Sequence, residues 1–232
     1  MRHELSSNLE RATAEKSFNK LRADQLLSIL PKGVPPAVIT AIENATHKAL
    51  NSHGLSAFEM SREAAIAHEV GHTIVATAEG QVIQSVCIFF RSMPLFENVW
   101  GGWCEDDGKE WTTGPDSSVE SDLSRARIIV AGLAGEAVTG RDKPGSSLDE
   151  LALSQVISLN AAVKLADPSL SDAAYDDFTE RLWHERVWNV TIAILLANRG
   201  PFQQLAEHLH RTEKIKGGKL RAVLAQIRRI AP

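Results

Sequence analysis

SAFEMSREAAIAHEVGHTIVATAEG, residues 56–80, carries the reading of the whole chain. Ser56 followed three residues later by Glu59 has the form of a capping box, and Gly80 suits a helix end. The spacing therefore predicts one long helix running to Ala78. Inside it stands His68-Glu69-Val70-Gly71-His72. Residues four apart lie about 40° apart around a helix axis, so both imidazoles point to one side and can share one ion. Glu69 lies beside them, where its carboxylate can reach a water on that ion without binding the ion itself. Zinc lowers the pKa of a bound water to about 7, and a carboxylate so placed can take the proton as the water attacks a carbonyl. Ala64, Ala65, Ile66, Ile74, Val75 and Ala76 suit burial of this helix against a core. The plain alternative is a pair of satisfied core histidines.

Catalytic zinc ordinarily takes three protein ligands, so a third is expected. The extended pattern with a further His six residues on fails, because Val75 and Ala78 occupy its Gly and His positions. Two carboxylates are candidates. Glu136 sits in the apolar helical stretch AGLAGEAVTG, and a ligand from a second helix is a known zinc arrangement. Asp149 falls in the first turn of a helix expected to start at Ser147, where the local dipole favours an ionised carboxylate.

Outward from this centre the elements are mostly helical. Residues 1–52 read as two helical segments broken by the prolines of 31–36. Gln81–Arg91 reads as a strand, and a second short strand near Val99–Glu105 completes a hairpin. Ser117 with Glu120 and Ser147 with Glu150 have the capping-box spacing. They predict helices running to Gly140 and from Leu148 to about Ala166. Helices are expected at about 171–198, 201–211 and 218–230. Trp100, Trp103 and Trp111 gather around the hairpin, while Trp183 and Trp188 suit a core, and His184-Glu185 a surface.

Composition narrows the function class. The chain has 232 residues, net charge −4 and 44% hydrophobic content, which suits one large domain or one domain with a small appendage. No polyanion partner is implied, so nucleic acid is not expected. The apolar windows from Ile128 and Val190 are too short or too interrupted for a membrane span of roughly 20 residues. Two cysteines, Cys87 and Cys104, give no disulfide framework. A cytoplasmic protein is expected.

From His68 to Leu224 the chain resembles the peptidase domain of FtsH-type, AAA-linked zinc metalloproteases. HEVGHTIVA resembles that family's HEAGHALVA. VCIFFR and GGWCEDD resemble its hairpin, LAGEAVTG its LAEEIIYG, and PGSSLDEL its TGASNDL. ANRGPFQQLAEHLHRTEKIKGGKLRAVL is similar to the family's terminal segment. The resemblance implies a zincin-like peptidase domain over 56–232, mostly α (α+β), with one small hairpin or sheet and a C-terminal helical bundle. An N-terminal helical extension covers 1–55. It implies Zn2+ held by His68, His72 and Asp149, Glu69 as the base, and Glu136 as a group that orients a ligand. Leu148 departs from the family's Asn beside the third ligand.

The function implied is an endopeptidase acting on unfolded or flexible polypeptide. No phosphate-binding GxxxxGK(S/T) loop occurs in the sequence, so ATP-driven unfolding is expected from a separate ATPase or adaptor, if at all. The family's peptidase domains form rings of six, which makes a homo-oligomer the expected assembly. The alternative is a metal-binding scaffold or regulatory module of the same fold, weak or inactive in hydrolysis.

Overall fold

The computed structural model describes residues 60–93, 96–107, 116–141 and 147–229, with the lone Thr40; the side chains of residues 91–98, Leu148 and Asp149 lie outside that description. The helices expected over 1–52, the Ser56–Glu59 capping box and Trp111 fall outside it too.

The fold is mostly helical with one small antiparallel sheet. Its first described element is α1, Arg62–Ala78. The helix opens at Ser61 and not at Ser56 as expected, with the Ser61 hydroxyl accepting from the Ala64 amide at 3.1 Å, and Gly80 follows its end with φ +93, a conformation that glycine adopts without strain. The hairpin β1 (Ile83–Met93) and β2 (Phe96–Asp106) follows. Next come α2 (Val119–Thr139) and α3 (Leu148–Leu165). A long helical run joins α4 (Asp172–Leu182), a π-helical segment (Trp183–Trp188) and α5 (Asn189–Ala197). The chain then forms α6 (Arg199–Thr212), β3 (Lys214–Lys216) and α7 (Gly217–Leu224).

Three further local expectations are corrected. Ser118, not Ser117, caps α2, accepting from the Ser121 amide. Ser117 instead donates to Asp122 at 2.6 Å, and Glu120 is drawn to Arg127. The Ser147–Glu150 pair caps nothing: Ser147 has φ 51 and makes no side-chain cap bond. The sheet has three strands rather than two, in the order β2-β1-β3. β3 is only Lys-Ile-Lys, too short to show a period, and is fixed by pairing with β1 (Val86 opposite Ile215).

The core lies on both sides of α2. One part joins α1, the sheet, α5 and α6 through Val70, Ile74, Val86, Ile88, Leu205 and Leu209. The other joins α2, α3 and the π-helical segment through Leu123, Val130, Ile157 and Val187. Trp183 is buried there, stacked on Trp188, as expected of core aromatics. Glycines set the approach of α1 to α2. A Cβ on Gly71 would fall on the Ala131 carbonyl oxygen, and one on Gly135 on the Ala67 carbonyl oxygen. Backbones this close leave no room for even a methyl group. Among the described residues, no helix is long and apolar enough to cross a membrane.

Candidate metal centre

The contact between α1 and α2 places the His68 and His72 rings against α2. Each ring turns one nitrogen toward a fixed acceptor. His68 Nδ1 lies 2.8 Å from Glu136 Oε1, and His72 Nδ1 lies 2.9 Å from the Ile128 carbonyl oxygen. In a neutral imidazole the proton therefore sits on Nδ1 and donates to that acceptor, which leaves a lone pair on each Nε2.

Those two Nε2 atoms converge. They are 3.1 Å apart, and Glu150 Oε1 lies 3.1 Å from one and 3.2 Å from the other. Three lone-pair donors thus face one point. Ligands at zinc bond lengths and tetrahedral angles would stand about 3.3 Å from one another, so the three edges match a zinc triangle closely. Among the described residues, Glu150 Oε2 is also buried without a hydrogen-bond partner. Two imidazole nitrogens and a carboxylate suit zinc in type, geometry and charge.

Without a cation, protons must occupy the cluster. Burial alone pulls the His68 and His72 values down, but the Glu150 carboxylate and its hydrogen bonds outweigh it, with Glu136 adding to the rise at His68. His68 is held well above 6.5, and His72 is raised as well. Glu150 moves the other way: burial raises its value, and the two imidazoles more than reverse this, holding it far below the usual carboxylate range.

Glu69 is buried on the neighbouring face of α1, under the hairpin. A Cβ on Gly102 of β2 would lie 2.7 Å from Glu69 Oε1. A Cβ on Gly132 of α2 would lie 2.6 Å from His68 Nδ1. Both catalytic-type side chains therefore occupy space that only glycine leaves open. Among the described residues, β2 is an edge strand of the sheet. Its Trp100 amide donates to the Met60 carbonyl at 3.0 Å, and strand alternation turns the backbone groups of Gly102 and Cys104 toward the same edge, away from β1. Trp100 is half-buried against Phe90 with the Arg62 guanidinium over it, whereas Trp103 is 64% exposed.

The structure brings His68, His72 and Glu136 together, with Glu69 close to both rings on α1. Asp149 occupies the first turn of α3, and its side chain lies outside the described residues. The carboxylate that meets both imidazoles belongs to its neighbour Glu150, which sequence reasoning assigned to a capping box. Adjacent acids in one helical turn were the available signal, since they point about 100° apart and either can face the site. The Ile128 carbonyl carried no sequence signal at all. His184 and Glu185 are exposed and stand apart from the centre. No known protein family and no characterised protein matches this chain.

Proposed function

We propose that the protein is a zinc-dependent endopeptidase of the FtsH-like kind. The observation that carries this reading is the convergence of His68 Nε2, His72 Nε2 and Glu150 Oε1 beside the Glu69 carboxylate. His68, His72 and Glu150 would hold the metal. When bound, zinc supplies Lewis acidity that polarises a scissile carbonyl and acidifies water. Glu69 takes the proton of the attacking water and returns it to the leaving amine. Glu136 and the Ile128 carbonyl keep both rings in the tautomer that offers Nε2.

The edge of β2 next to Glu69, which pairs with no further strand among the described residues, supports an extended polypeptide as substrate, because such a chain can add as a strand and bring its carbonyl to the site. The exposed Trp103 offers an apolar contact on that strand. Flexible or unfolded chains fit this mode, with a separate ATPase or adaptor presenting folded ones. A cytoplasmic location, expected from the cysteine usage, and a ring-like homo-oligomer, implied by the resemblance, accompany the reading.

Casein cleavage and zinc content, measured together, test it. Glu69→Gln is expected to keep zinc and lose roughly 10²–10⁴-fold in turnover. Wild-type turnover in that variant would sink the mechanism. Zinc bound by a wild-type protein that cleaves nothing would favour the scaffold reading. Zinc loss in Glu150→Gln with retention in Asp149→Ala would assign the third ligand; the reverse result would assign it to Asp149, as the resemblance implies.

A further inference from the structure

We propose that Ser147 is a positioning residue for the metal centre. Its hydroxyl braces Glu136 and the His68 ring, and its left-handed backbone launches the helical turn that carries Glu150. This rests on the metal reading above.

Four helices of the described fold start at a serine, and three of them do so alike. Ser61, Ser118 and Ser171 have extended backbone (φ −68, −76 and −68), and each hydroxyl accepts the amide three residues on. Ser147 departs in both respects. Its φ and ψ are 51 and 32, and its hydroxyl makes no cap bond. Left-handed backbone is costly for a residue with a side chain and persists where surrounding structure demands it.

What the hydroxyl does instead is on the inner side of the helix start. Ser147 Oγ is buried and donates to Glu136 Oε1 at 3.3 Å. It also stands 3.3 Å from His68 Nδ1, where it accepts a share of the proton directed mainly at Glu136. Glu136, Ser147 and His68 Nδ1 thus form a closed triangle behind the ring. Gly132 leaves the space that the ring fills. The ring is fixed in plane and in tautomer, with Nε2 forward.

The backbone does a second job. The Leu151 amide donates to the Ser147 carbonyl, so the first helical bond of α3 is anchored at this residue. Glu150 lies in that turn, and its carboxylate reaches forward to both imidazoles rather than back to the Ser147 amide. The two members of the expected capping box are both withdrawn from capping and face the same cluster. Such breaches of local rules gather at functional sites.

The test separates hydroxyl from backbone by substitution. Ser147→Gly removes the hydroxyl but accepts the left-handed φ without strain. Zinc affinity, measured by competition with a chromogenic chelator, is expected to fall about 10- to 100-fold. The Tm of the metal-free Gly variant is expected to stay at or above the wild-type value. Ser147→Ala should lose zinc similarly and melt lower. A Gly variant with wild-type zinc affinity overturns the proposal and leaves the metal reading intact. A Gly variant that loses zinc only in step with fold stability also overturns it. A wild-type protein that takes up no zinc overturns the metal reading and this proposal together.

Discussion

Two polar clusters lie side by side along α2, one drawing on Glu120 to Arg127 and the other on Ile128 to Glu136, and they are built on opposite rules. Around Arg127, cation meets anion. The guanidinium donates to Glu79 at 2.5 and 3.2 Å, to Glu120, and to the Arg186 carbonyl at 3.1 Å. Lys164 nearby donates to Asp122 and Ser117 at 2.7 and 2.8 Å. Donors and acceptors answer one another, which is what a buried charge needs in order to be tolerated. Around His68 and His72, acceptors meet acceptors: two ring lone pairs and a carboxylate crowd one point. The first arrangement is complete with the protein's own atoms. The second is complete only with protons or, as proposed, a bound cation, and that difference is what the experiments below exploit.

The sharpest way to break the comparison is to delete one member of each. Arg127→Met leaves the partly buried Glu79 without its cation. It is expected to cost about 3 kcal/mol or more in denaturant unfolding, while the folded fraction keeps one zinc per chain. Glu150→Gln should show the reverse pattern. Zinc affinity falls more than about 100-fold, beyond the loss typical of an outer contact, with a much smaller change in metal-free stability. If Arg127→Met releases zinc in the folded state, the two clusters are not separable.

A milder perturbation is pH. In the metal-free protein His68 and His72 titrate above their ordinary 6.5, so the stability their protons confer is complete below that value. It is lost as pH rises through the raised values. Glu150, held below its ordinary 4.5, stabilises above that value and stops doing so on acidification. Metal-free protein should therefore be most stable between about pH 4.5 and 6.5 from these groups. Zinc replaces the protons, so its own contribution should grow as pH rises toward neutrality. Melting curves from pH 4 to 8.5, with chelator and with zinc, check this; parallel curves would contradict it.

The smallest effect concerns Cys104, which packs against the core and Thr73 near Glu69. Burial pushes its thiol up to about 12. It should resist alkylation in the native protein at pH 8 and react at the rate of an ordinary thiol once unfolded. Rapid native alkylation at Cys104 would show that the hairpin opens readily over the site.

How much of this was legible in the sequence follows the range of the interactions. The helix Arg62–Ala78, the hairpin and the pair His68 and His72 rest on local periods and on a motif that fits in one turn. Glu69 came with them. Glu136 was legible as a candidate, but its bond to His68 spans 68 positions and is made only because Gly71 and Gly135 let two helices touch. Glu150 was misread because a Ser three residues before a Glu has the same letters whether the pair caps a helix or faces a metal. The left-handed Ser147 distinguishes the two, and no sequence pattern announces it. β3 escaped because three residues carry no period, and the π-helical turn because no local pattern marks it, its Arg186 carbonyl meeting Arg127 from 59 positions away.

The central claim is that three converging lone-pair atoms form a seat for a divalent cation. Equilibrium dialysis of the purified chain against zinc, with metal analysis of wild type and His72→Ala, addresses it directly. The expected result is one zinc per wild-type chain, an accompanying rise in Tm, and uptake abolished in the variant. A wild-type protein that binds no zinc, or a His72→Ala variant that binds it equally well, would contradict the account.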